Sequence, residues 1–165
     1  MSSFFRHKVN FVIKVIEAIG LKKISIVVPV YNEEENLREF HKRITEVMSK
    51  EPYDYSIVFI NDGSSDNSAV ILNELANEDK HVEAYLLSRN YGHQMAITCG
   101  LDNAEGDAIV TMDGDLQHPP EIVPQLLRLW EEGNEIVITK RMATEDAGFF
   151  KNLTSSAYYK LINAM

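Results

Sequence analysis

The chain has 165 residues, 45% of them hydrophobic and 25% charged, the composition of one ordinary globular domain. Its formal net charge of −9 argues against a nucleic-acid partner, which would call for a basic patch, but leaves room for local cationic groups that take phosphates. No run approaches the roughly 18 apolar residues of a membrane-spanning helix, no secretory-leader pattern is apparent, and the single cysteine, Cys99, excludes a disulfide within the chain and points to a reducing compartment.

In chain order, Phe4 to Ile19 place apolar side chains at helical spacing, with Arg6, His7, Lys8 and Lys14 available to another face. This pattern fits a helix on an anionic membrane surface, or one packed on the domain or in an oligomer interface. Lys23 to Tyr31 predict a first strand, followed by a helix from Glu33 to about Met48 that Asn32 would cap. Tyr55 to Asn61 predict a second strand, and the turn Asp62-Gly63-Ser64-Ser65-Asp66 leads into a helix through about Asn77. Val82 to Ser88 predict a third strand, with Gly92 opening a helix through about Ala104. Ala108 to Met112 predict a fourth, before a helix from Pro120 to about Glu132 and a fifth strand over Glu135 to Thr139. Phe149 to Ile162 read as a second amphipathic helix that meets no glycine or proline stop, as in a chain that continues.

Strands separated by helix-length segments imply an α/β fold, a mostly parallel sheet with helices on both faces. Such sheets bind ligands beyond the carboxyl ends of their strands. Four polar clusters fall at those ends: Tyr31-Asn32-Glu33, Asn61-Asp62-Gly63-Ser64, Ser88-Arg89-Asn90 and Asp113 to Gln117. Helix N-termini near Glu33, Asp66 and His93 would point partial positive charge at the same rim and favour an anion there.

The run Val110-Thr111-Met112-Asp113-Gly114-Asp115-Leu116-Gln117-His118-Pro119-Pro120 places two carboxylates one residue apart at the end of a strand pattern. Positions i and i+2 of a strand project to one side, so Asp113 and Asp115 are expected to converge on a hard cation, with Gln117 as a third oxygen ligand. Mg2+ or Mn2+ bound in this way would be completed by the phosphates of a substrate. His118 would order the site from behind; His41, His81 and His93 show no metal-ligand spacing, and Asp66 fits either a helix cap or a ligand contact.

Val28-Pro29-Val30-Tyr31-Asn32-Glu33-Glu34, Asn61-Asp62-Gly63-Ser64-Ser65-Asp66, Ser88-Arg89-Asn90-Tyr91-Gly92 and Asp113-Gly114-Asp115-Leu116-Gln117-His118-Pro119-Pro120 resemble four successive signatures of glycosyltransferase family 2. Their order and the Leu-Gln-His-Pro-Pro extension resemble its polyprenyl-phosphate branch, the dolichyl-phosphate and undecaprenyl-phosphate sugar transferases. The resemblance implies a GT-A (Rossmann-like) domain over 23–148, between the helices at 1–22 and 149–165. It also implies a nucleotide-diphosphate sugar donor, Mg2+ or Mn2+, and a single inverting displacement onto a polyprenyl phosphate. Pro29, Tyr31, Glu33 and Asp62 match the nucleotide pocket, with Asp62 on the nucleoside, and Asp113, Asp115 and Gln117 match the metal and diphosphate ligands. Arg141 matches the arginine that holds the acceptor phosphate, and Lys151 and Ser155 fall where the branch has a further basic residue and a serine. Relatives continue into interfacial and membrane-spanning segments, so the full-length protein is expected at the cytoplasmic face of a membrane and this piece is expected to be soluble. Two other readings stay open: transfer to a saccharide hydroxyl, which needs a carboxylate base, and nucleotide-sugar binding without catalysis. Thr144-Glu145-Asp146 resembles such a base but is read here as a solvated loop.

Overall fold

A computed structural model describes residues 20–139. Strands β1 (Lys23–Val30), β2 (Asp54–Asn61), β3 (Val82–Leu86) and β4 (Ala108–Thr111) are separated by helices α1 (Leu37–Met48), α2 (Ser68–Glu78) and α3 (His93–Asn103). A 3-10 turn (Pro120–Ile122) then leads into α4 (Val123–Glu131). The four strands form one parallel sheet in the order β3-β2-β1-β4. Each parallel neighbour needs a crossover, which the helices provide.

The central strands β1 and β2 are buried along nearly their whole length, which is why they read as continuous apolar runs without alternation. Ile24, Ile26, Val28 and Val30 on β1, with Ile57 and Phe59 on β2, face α1, α2 and α4. Helix α1 meets them with Leu37, Phe40, Ile44 and Met48, all within 1% of full burial, at the spacing of a helical stripe. Each such side chain contributes about 1.5–3 kcal/mol of transfer free energy. Phe40 and Phe59 pack edge to face, 6.0 Å between ring centroids. The opposite face has a smaller core, in which Val27, Val58 and Ile60 lie under Ala96 of α3, with Cys99 at its margin. Ser25 and Ser56, also on this face, share a 3.0 Å hydrogen bond, and the Ser25 hydroxyl donates to the Glu105 carbonyl when its partner supplies the other bond.

Several predicted boundaries move. The first helix begins at Leu37 instead of Glu33, and Asn32 does not cap it: its φ is +56°, and its side-chain oxygen accepts the Ser65 N–H. The second helix begins at Ser68, two residues past Asp66, and the third strand ends at Leu86. No strand forms over 135–139 among the described residues, where Ile136 and Ile138 are more than four-fifths exposed.

The fourth strand ends at Thr111, so Asp113 and Asp115 stand on a turn beyond it, and strand alternation is not what orients them. The cause lies on β1. The β1–β4 ladder ends at the pair Val27–Thr111, with Met112 N–H donating to the Val27 carbonyl. The next rung would need an N–H at Pro29, and proline has none.

Candidate active site

The carboxyl ends of all four strands open onto one rim, where the loop after β1 is laced to the loop after β2. Asn32 N–H donates to the Ser64 hydroxyl (2.9 Å), Glu33 N–H to the Ser68 hydroxyl (3.0 Å) and Glu34 N–H to Asp66 Oδ2 (3.1 Å). In the reverse direction, both the backbone and the side-chain amide of Asn67 donate to Glu34 Oε2. Asp66 also accepts the Ser68 N–H at the start of α2. Burial opposes ionisation of Asp66, but hydrogen bonds from the Ser68 hydroxyl and the Ser68 and Glu34 N–H groups outweigh it and hold the carboxyl below its ordinary range. Asp66 thus supports the helix start from the residue before its N-cap, which is Asn67.

Asp62 is 2% exposed and ties β2 to the turn before α3. Its Oδ1 accepts the Tyr91 N–H at 2.7 Å and its Oδ2 the Gly92 N–H at 2.9 Å. Where the resemblance implies a contact with a nucleoside, the structure shows both oxygens engaged by backbone. Gly63 makes this junction possible: its φ is +65°, and a Cβ there would lie 2.3 Å from the Arg89 carbonyl carbon. Arg89 in turn lies with its guanidinium 4.8 Å from the centre of the exposed Tyr91 ring. Hydrogen bonds from Ser88 and Arg89 hold the Tyr91 phenol below its ordinary pKa.

An open cleft of about 880 Å³ runs along the edge of β4 that has no strand partner among the described residues, with Pro29, His93, Asp113, Gln117 and His118 on its walls. Gly114 is buried, where a Cβ would lie 3.3 Å from Val28 Cγ1, and Leu116 adopts φ +60°. Asp115 is not on the cleft wall; its Oδ1 accepts the Gln117 N–H at 2.9 Å, which fixes the turn. His93, the first residue of α3, brings Nε2 to 3.7 Å from Asp113 Oδ1. Among the described residues no three His, Cys, Asp or Glu side chains gather closely enough to enclose a cation alone. Asp113 and Gln117 are hard oxygen donors on the cleft wall, which suits a magnesium or manganese ion shared with a diphosphate better than a closed protein cage.

Of the residues expected in the nucleotide pocket, Pro29 is on the cleft wall and Tyr31 is about half exposed on the rim. The Glu33 carboxylate accepts the Asn36 side-chain amide at 2.6 Å. Arg141, Lys151, Ser155, Glu145 and Asp146, and the two terminal amphipathic segments, lie outside the described residues. Sequence reasoning gave no role to His93. The available signal was its position directly after Gly92, at the mouth of a helix on the shared rim.

Comparison with known proteins accords with this arrangement. The profile described as Glycosyl transferase family 2 matches residues 25–164. Uncharacterized glycosyltransferase YkcC of Bacillus subtilis (strain 168) is 45% identical over 141 residues, which is 86% of this chain and 44% of that protein. Undecaprenyl-phosphate 4-deoxy-4-formamido-L-arabinose transferase of Proteus mirabilis (strain HI4320) is 44% identical over 146 residues, 88% of this chain and 43% of that protein. Bactoprenol glucosyl transferase of Shigella phage SfV is 44% identical over 141 residues, 86% of this chain and 46% of that protein. The chain thus spans less than half the length of these relatives. Among solved structures, S. aureus TarS 1-349 superposes with a TM-score of 0.53 at 20% identity, covering 74% of this chain and 40% of that one, which shows a GT-A-like α/β fold. With four motifs on one rim and a family match across most of its length, the chain belongs to glycosyl transferase family 2.

Proposed function

We propose that this chain is the donor-binding part of a metal-dependent, inverting glycosyltransferase that moves a sugar from a nucleotide-diphosphate sugar to a polyprenyl phosphate. The observation that carries the reading is the cleft at the end of β4, where Asp113 and Gln117 stand together on a wall that adjoins the other strand ends. The acceptor class follows the relatives named as undecaprenyl-phosphate and bactoprenol transferases.

In this reading Pro29 and Tyr31 border the nucleotide, and Asp62 positions the Tyr91-Gly92 turn that forms another side of its pocket. Arg89 offers a cation to the donor from its place over Tyr91. Asp113, Gln117 and Asp115 would hold Mg2+ or Mn2+, which would supply electrostatic stabilisation to the departing nucleoside diphosphate. Arg141, assisted by Lys151 and Ser155, is assigned to the acceptor phosphate on sequence alone. A lipid phosphate is anionic at neutral pH, so the attacking oxygen needs no general base. Such an acceptor also places the full-length protein at a membrane surface; no helix among the described residues is long and apolar enough to cross one.

The test is calorimetric titration of UDP and GDP with and without manganese. Binding of one of them should tighten with the metal, and Asp113→Asn should remove that gain while leaving the melting curve close to wild type. Equal nucleotide affinity in both proteins with manganese present would refute the assignment.

A further inference from the structure

We infer that His93 is a nitrogen donor to the cation held at Asp113, and that it makes the site prefer manganese to magnesium. The inference rests on the reading of the β4 turn as a metal–diphosphate site and adds a ligand from a different element, the first residue of α3. His93 and Asp113 are on the walls of the same cleft, each side chain about half exposed. Their separation, 3.7 Å from Nε2 to Oδ1, is too long for a hydrogen bond between them. Two donors on one cation at about 2.1 Å each sit roughly 3 to 3.6 Å apart, depending on the coordination angle. A small side-chain rotation therefore converts the observed gap into one edge of a coordination polyhedron.

The backbone holds the ring in this place. Gly92 precedes His93 at φ +96° and donates its N–H to the buried Asp62, so the start of α3 is fixed to the end of β2. Asp113 follows two residues after Thr111, where the β1–β4 ladder ends. The pair thus joins two different elements, the start of α3 and the segment after β4, on the wall of one cleft. An all-oxygen site of carboxylate, amide, phosphate and water serves magnesium and manganese alike. An imidazole moves the preference toward the transition metal, because affinity for nitrogen donors rises along the first-row series and magnesium favours oxygen.

The test uses the 165-residue chain with UDP, and in parallel GDP, as the diphosphate. Calorimetry should show manganese binding tighter than magnesium in the wild type, and His93→Ala should weaken manganese by about 10-fold or more while changing magnesium little, as in losses around other metal-bound histidines. His93→Gln, which keeps a polar side chain at the helix start, should give the same collapse of the manganese-to-magnesium ratio. Electron spin echo modulation of bound Mn2+ should carry an imidazole nitrogen signal that disappears in both His93 variants and persists in His118→Ala. A manganese spectrum without that signal, or equal losses for the two metals, would overturn the role of His93 while leaving the site intact. Absence of diphosphate-dependent manganese binding in the wild type would overturn the site itself, and the inference with it.

Discussion

At the scale of single residues, Asp62 governs the geometry of the rim through groups it does not itself present. A buried carboxylate that accepts two N–H bonds makes both in their charge-assisted form, and its removal leaves two amides without partners. Asp62→Ala should lower stability by about 3 kcal/mol in urea denaturation, and Asp62→Asn should cost nearly as much, since its NH2 would confront one of the two donors. At a temperature where the variant is still folded, metal-dependent nucleotide binding should fall more than metal-free binding, because the released turn carries His93. Metal-free binding that falls just as far would show that Asp62 acts on the nucleotide pocket, directly or through the Tyr91-Gly92 turn, and not through the metal.

Between elements, close approach and loop lacing set the frame. Helix α3 lies so near the sheet that a Cβ on Gly100 would come within 2.2 Å of Val27 Cγ1. Gly100→Ala should therefore cost about 1–3 kcal/mol by overpacking, although alanine is the better helix former, and a chemical denaturation curve reads the sign directly. Two carboxylates held below their ordinary range, Asp66 in the laced loops and Asp79 at the end of α2, predict the acid limb of stability. Asp66 is held below its usual range as described. For Asp79, burial opposes ionisation, but the His81 N–H and the His41 and His81 side chains outweigh it. A depressed folded-state pKa means that the unfolded chain binds the proton more readily. The contribution of each group is thus fully present above the unfolded carboxylate value near pH 4, and is lost as pH falls through the folded value. Asp66→Asn should lower the melting temperature at pH 7 and flatten its decline below about pH 4; a decline as steep as wild type would show that Asp66 is not among the groups responsible.

For the whole molecule, the distinction that matters is between a lipid phosphate and a saccharide hydroxyl as acceptor. A hydroxyl needs a general base, whose removal typically costs a factor of roughly 10² to 10⁴ in rate, whereas an anionic phosphate needs only to be held. In the full-length enzyme in membranes, with saturating donor, Arg141→Ala should raise the KM for polyprenyl phosphate or abolish transfer, and Asp146→Asn should change turnover little. Loss of turnover in Asp146→Asn with normal donor and acceptor binding would reverse the assignment in favour of the saccharide.

Much of this protein is determined locally and was therefore legible in the sequence. Apolar runs too continuous for a half-exposed sheet, turn residues between them and helix-length spacers dictate a parallel α/β layer, and that topology delivers the strand-end motifs to one rim. Other features depend on which chains become neighbours. Asn32 reads as a cap until the loop after β2 supplies it with Ser64 and Ser65, and the structural tie that Asp62 makes is invisible until the Tyr91 and Gly92 amides arrive 29 and 30 residues later in the chain. The strand-like pattern over 135–139 finds no ladder partner among the described residues, since a strand is stabilised by pairing that its own sequence cannot supply. The missing N–H of Pro29 was visible from the start, but its effect became apparent only with the register, which sets proline against the Met112 carbonyl and turns Asp113 off the sheet toward His93.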